Sequence, residues 1–223
     1  MKTADLSLKR RMILQYPADK GAPCAPTTRK HYQANPGVAI YTIFAKDLDQ
    51  YRKEIKSECC PRCGKTGWLN CHGWLRGNSE VVGDGDGRRV RGARFFCCNR
   101  GRRQGCGKTF SAMLPANMPG FSVSARILGK FIAGARKGLS RKAAWEGLRS
   151  PYSVQTAYDL WNRLRRCQST VRTRLHRARP PPVAASPDPL LQTIDHLEKA
   201  FPSGDGPVCE YQTFFQHSFL ETA

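Results

Sequence analysis

Residues 58–114 have to fold with little to bury. The stretch is dominated by Gly, Cys and basic residues and holds few large apolar side chains. Burial alone cannot offset the entropy of ordering such a backbone. It does contain Cys60-Pro-Arg-Cys63-Gly and, about thirty residues later, Cys97, Cys98 and Cys106-Gly-Lys. Two thiolates at C-x-x-C spacing on a tight turn can grip one Zn²⁺ while backbone N–H groups point at the sulfurs. Cys106 sits on the same kind of Cys-Gly turn as Cys63. Two such turns joined by a hairpin supply the four thiolates of a tetrahedral site, so one structural zinc ion is the expected cofactor.

The second half of the pattern is irregular. Eight residues separate Cys97 from Cys106 and seven separate Cys98 from Cys106, where a standard knuckle has about two. The insert, residues 99–105, is a basic loop. Cys59, Cys71 and His72 are competing ligands. A thioredoxin-like redox pair fits poorly, because the C-x-x-C lies outside a βαβ context. Extended pieces are readable over residues 67–74 and 89–96, on either side of a Gly-Asp-Gly-Asp-Gly turn at 83–87.

Charge adds a second constraint. The 223 residues carry 37 Lys+Arg against 17 Asp+Glu, a net +20. Residues 88–110 hold 8 basic and no acidic residues, and residues 121–179 hold 14 and 2. A basic middle of this kind suits a phosphate-contacting surface. Residues 180–223 hold 1 basic and 6 acidic residues, an end that either folds back on that surface or serves as a solubilising tail. No apolar run approaches the eighteen residues of a membrane span. Residues 1–15 lack an apolar signal core. A cytoplasmic, nucleoid-associated location and reduced cysteines are therefore expected.

The expected organisation is a poorly ordered, Pro-containing segment at 1–37 and a leading helix at 38–57, with Phe44, Leu48, Tyr51 and Ile55 on one face. The metal-binding region follows at 58–114, helices at 120–178, and a Pro-rich linker and acidic tail at 179–223. Within the helical part, Val123, Ile127, Leu128, Phe131, Ile132 and Ala135 share a face, and Gly138 closes the first helix. Ser140 caps a short second helix around Ala143, Ala144, Trp145 and Leu148. After Arg149-Ser-Pro-Tyr, Ser153 caps a long third helix burying Val154, Ala157, Tyr158, Trp161 and Leu164. The Pro180-Pro-Pro run ends it, and a short amphipathic helix is expected around 190–201. The irregular end holds no further element.

A short second helix, a turn of about four residues and a polar-faced third helix read as helix-turn-helix. The outward positions of the third helix include Gln155, Thr156, Asp159, Asn162, Arg163, Arg165 and Arg166. Gln and Asn can read adenine edges, and Arg can read guanine or phosphate. Arg141, Lys142 and Arg149 are placed to grip backbone, as are Arg100, Arg102, Arg103 and Lys108 of the basic loop. The fold class expected is small α+β: a four-cysteine zinc ribbon of short antiparallel strands, then a three-helix helix-turn-helix region, with flexible termini.

Cys60-Pro-Arg-Cys-Gly, Arg94-Phe-Phe-Cys-Cys-Asn-Arg and Gly105-Cys-Gly-Lys-Thr-Phe-Ser111 form a series that resembles the zinc ribbons of bacterial insertion-sequence transposases and their small accessory DNA-binding proteins. In those proteins a ribbon ending in Cys-Gly-Lys/Arg-Thr-Phe-Ser precedes a helix-turn-helix. The resemblance covers roughly residues 58–178. It implies Cys60, Cys63, Cys97 and Cys106 as ligands. It implies duplex DNA as partner, at element ends or a promoter, together with a separately encoded transposase. It does not imply catalysis. An RNase H-like transposase needs three carboxylates holding two metal ions. Here Asp188, Asp195, Glu198, Asp205, Glu210 and Glu221 fall in a linker, a short helix and an irregular end, without strands to frame them. The expectation is a non-enzymatic, zinc-dependent DNA-binding protein of a mobile element, an accessory factor or regulator. The alternatives are a zinc ribbon that binds RNA or protein, and a truncated transposase remnant.

Overall fold

A computed structural model describes residues 39–41, 55–78, 88–183, 186–202 and 206–221. The fold is α+β, a small sheet bearing a four-cysteine cluster followed by five helices among the described residues. Strands β2 (Leu69–Asn78) and β3 (Arg88–Cys97) pair antiparallel, and β4 (Thr109–Met113) pairs antiparallel with β3 on its other side. A three-residue strand, β1 (Ala39–Tyr41), runs parallel to β4 at the edge, giving the order β1-β4-β3-β2. Alternation sorts the faces. Ala93, Phe95 and Cys97 of β3 and Phe110 and Ala112 of β4 are buried with Leu69, Ile55 and Cys60, while Arg94 is exposed.

Part of the N-terminal reading is corrected here. The expected leading helix at 38–57 is a strand at 39–41 and a 3-10 turn at Ile55–Ser57. Its remaining positions, the segment 1–37 and the turn at 83–87 lie outside the described residues.

Helix α1 (Ala125–Arg136) starts where Ser124 Oγ accepts the Ile127 N–H, and α2 (Arg141–Glu146) where Ser140 Oγ accepts the Ala143 N–H. Seven residues, 147–153, then precede α3 (Val154–Ala178), so the connection is longer than the expected four. The Trp145 indole N–H donates to the Tyr152 carbonyl at 3.0 Å and pins it. Phe131 meets the edges of Trp145 and Trp161 at centroid distances of 5.5 and 6.0 Å. This ring cluster joins α1, α2 and α3.

The tail is a larger departure. Helix α4 (Pro189–Ala200) is where an amphipathic helix was expected, with the Asp188 carboxylate accepting the Leu190 N–H at 2.7 Å. The end is not irregular, because α5 (Pro207–Phe215) follows. Leu190, Ile194, Leu197, Val208, Tyr211, Phe219 and Leu220 are buried in one core with Leu128, Phe131, Leu164 and Leu175. The described residues of α4, α5 and 218–220 are thus structural parts of the helical body, where a flexible acidic tail is expected from the sequence. The tail does fold back on the basic middle of the chain, packing on α3 as well as α1: Arg163 of α3 donates to the Leu220 carbonyl, and Arg136 of α1 forms ion pairs with Asp195 and Glu198. Among the described residues, no helix is long and apolar enough to cross a membrane.

Sheet and helices meet on residues 114–121. The Arg91 guanidinium donates to Asn117 Oδ1 at 3.2 Å and to the carbonyls of Met118 and Phe121. The Arg91 carbonyl accepts from Leu114 N–H and from Asn117 Nδ2. From the other side, fully buried Gln212 of α5 donates to the Pro115 carbonyl at 2.7 Å and the Asn117 carbonyl at 3.2 Å. Its Oε1 accepts the Phe219 N–H at 3.2 Å. Gln212→Ala strands these groups in a dry interior. A loss of about 2–4 kcal/mol is expected, read from urea unfolding with tryptophan fluorescence.

Candidate metal centre

The first cysteine turn is closed by the Gly64 N–H donating to the Cys60 carbonyl at 2.8 Å, with Gly64 at φ +71°. The second is closed by the Gly107 N–H donating to the Cys97 carbonyl at 2.9 Å, with Gly107 at φ +69°. Left-handed backbone favours glycine at both places. The two turns match although one is C-x-x-C and the other spans eight intervening residues. The reason is a backbone pinch: the Gly105 N–H donates to the Cys98 carbonyl at 2.9 Å. Cys98 and Gly105 thereby act as the two intervening residues of an ordinary knuckle, and residues 99–104 bulge outward, all exposed. A Cβ on Gly105 would lie 2.2 Å from the Cys98 oxygen and 2.8 Å from Cys97 Sγ, so only glycine allows the approach.

The structure brings together Cys60, Cys63, Cys97 and Cys106, whose sulfurs all lie within 4.8 Å of one another. Cys60 Sγ is 3.8 Å from Cys106 Sγ, and Cys63 Sγ is 3.8 Å from Cys97 Sγ. A Zn–S bond of about 2.3 Å places tetrahedral sulfurs about 3.8 Å apart. The cluster can therefore hold one metal ion, and an all-thiolate set suits zinc. The Arg62 N–H points at Cys60 Sγ at 3.4 Å and the Cys106 N–H at Cys97 Sγ at 3.3 Å. Such contacts stabilise thiolates bound to a cation.

The chain matches no family model, no curated protein and no solved structure.

The competing ligands fall elsewhere. Cys71 packs against the sheet core, and exposed His72 faces the Phe96 ring at 6.4 Å. Cys98 is outside the cluster. The N–H of Arg100 and the Arg103 guanidinium hold its thiol below the ordinary value. Cys59 is disulfide-bonded, against the expectation that every cysteine is reduced, while the other eight described cysteines are free.

The residues expected to meet nucleic acid divide. Arg100, Arg102, Arg103 and Lys108 are exposed beside the cluster. Arg141 is exposed with its guanidinium over the Tyr158 ring at 5.2 Å, and Lys142 pairs loosely with Glu146 at 3.9 Å. Gln155, Asn162 and Arg166 are exposed on α3, with Gln155 donating to Asp159 at 3.0 Å. Thr156 and Arg163 lie on the flank of α3 instead. Thr156 is half-buried, and Arg163 Nε donates to the Leu220 carbonyl at 3.0 Å. The amphipathic pattern alone could not show that the tail takes that side.

Burial pushes the Cys60 thiol up to about 11, and burial pushes Cys97 upward too. At Cys63 burial also raises the thiol, but the Lys65 N–H and neighbouring thiols outweigh it and leave it lowered. Without metal, Cys60 and Cys97 therefore hold their protons at neutral pH. A bound cation must displace them, so apparent affinity should fall as pH drops. Competition with a chromophoric chelator from about pH 8 to about pH 6 should show a fall of at least about tenfold per unit for the displaced protons. Cys106→Ser should lose the metal and the hydrogen-exchange protection of β3 and β4. The core of α1–α5 is a separate cluster, so α3 should stay protected.

Proposed function

We propose that this chain is a zinc-dependent DNA-binding protein in which the cysteine cluster organises one contact surface and the three helices α1–α3 provide another, as a helix-turn-helix. The observation that carries the reading is the pinched second knuckle. Beside the cluster of four sulfurs, a basic loop carries Arg100, Arg102 and Arg103 on the surface. Positive side chains held on a rigid turn can meet phosphates at low entropic cost. The exposed polar positions of α3, Gln155 and Asn162, support base reading in the major groove.

In this reading the chain is a binding protein without its own catalytic domain. Two of the tail carboxylates, Asp195 and Glu198, serve structure by pairing with Arg136. The setting at a mobile element, as accessory factor or regulator beside a separately encoded transposase, rests on the sequence resemblance of the ribbon. The nucleoid-associated cytoplasmic location belongs to the same reading.

The test is metal content together with binding of a labelled duplex from about 50 to about 300 mM salt, for wild type and Cys106→Ser. One zinc per chain is expected, with affinity falling about 10³-fold or more over that range for six or more phosphate contacts. Both should be lost or strongly reduced in Cys106→Ser. Zinc without duplex binding, and with a preference for structured RNA, would overturn the reading in favour of an RNA-binding ribbon.

A further inference from the structure

Helix α3 is 25 residues long, about 37 Å. Its exposed positions are Gln155, Asp159, Asn162, Arg165, Arg166, Ser169, Arg172, Thr173, His176 and Arg177. At about 100° per residue these fall in one stripe about 140° wide, opposite the buried positions Leu160, Leu164, Val171 and Leu175.

The stripe changes chemistry along its length. Its first turns offer Gln155, Asp159 and Asn162, with no cation among the exposed positions. Its last turns offer Arg165, Arg166, Arg172 and Arg177, with no exposed carboxylate. The other two arginines of the helix turn to the tail: Arg163 donates to the Leu220 carbonyl and Arg174 contacts His217 Nδ1 at 2.8 Å. The tail thus hydrogen-bonds the flanking arginines; of the outward four, Arg172 borders α4, lining a cavity with Asp195 and His196, yet stays exposed and without a salt bridge. The acidic pair of α4 is held by Arg136 on α1. Among the described residues, no carboxylate forms a salt bridge with Arg165, Arg166, Arg172 or Arg177.

We infer that the C-terminal half of α3 is a phosphate-gripping arm, with Arg172 and Arg177 contacting duplex backbone beyond the segment that the N-terminal half reads. The inference rests on the DNA-binding reading above and assigns it a second, sequence-independent surface. A straight rod of this length cannot remain in a major groove that winds round the duplex every 34 Å or so. Seated by its first turns, it leaves the groove and crosses the flanking phosphates. Guanidinium groups suit that place, being permanently charged and forked to match phosphate oxygens. Ser169 and Thr173, between the arginines, add hydroxyl donors.

The test uses the full zinc-loaded chain, a labelled mixed-sequence 30-base-pair duplex (about three turns) and a random-sequence duplex pool for site selection. Arg172→Gln/Arg177→Gln should lower the salt slope by about two. It should weaken all duplexes by a similar factor and leave the selected sequence unchanged. Gln155→Ala/Asn162→Ala should do the reverse: slope kept, selected sequence altered or lost. Both pairs are exposed, so circular dichroism and melting should match wild type. An unchanged slope in the arginine variant, or a changed selected sequence, overturns the arm while wild-type binding keeps the DNA-binding reading intact. Wild-type protein that binds no duplex at low salt overturns both.

Discussion

Four thiolates cannot share one small site without a cation to hold them. Their mutual repulsion and the cost of burying them push the other way, as the raised Cys60 and Cys97 show. The sulfurs nevertheless stand 3.8 Å apart in pairs. A sheet with a modest apolar face brings them there. Phe95 and Phe110 pack with their rings tilted, 5.6 Å apart, and Cys60 and Cys97 are part of the same core. Metal site and sheet core are one object, and neither has enough of its own to persist alone.

The helical body is built on ordinary burial, and the two halves are fastened by polar groups. Arg91 reaches from β3 across residues 117–121, and Gln212 reaches from α5 to the same segment. These bonds use carbonyls that no regular ladder satisfies. A long side chain from each side closes the account, and the segment between sheet and α1 is held from both directions. The two proposed nucleic-acid surfaces sit on parts joined by this clasp.

Much of this was legible in the sequence, where local chemistry alone decides the outcome. The C-x-x-C turn, the Ser140 cap and the long apolar face from Ala157 to Leu175 are rules of spacing and capping, and the structure follows them. The misses share a cause. β4 is five residues long and is a strand because β3 pairs with it. α5 reads Pro-Val-Cys-Glu-Tyr-Gln-Thr-Phe-Phe, a run of weak helix formers, and is helical because Val208, Cys209 and Tyr211 are buried against α1 and α4. The flank occupied by Arg163 was invisible for the same reason: what covers a side of a helix is decided by distant chain. The Pro-rich composition of residues 180–189 suggested a loose tether, yet prolines at the first position of α4 and of α5 pre-set the angle that a helix start requires.

The hydrogen bond between Gly105 and Cys98 separates two things that a cysteine pattern usually binds together. Sulfur geometry depends on the residues flanking Cys97 and Cys106, not on how many lie between them. The six residues outside the pinch can lengthen, shorten or change composition at small entropic cost, because a closed loop grows more expensive only logarithmically. A cysteine knuckle built this way is a mounting for interchangeable loops. Its signature in a sequence is a glycine immediately before the last cysteine, and a search that fixes the spacing at two would pass it by.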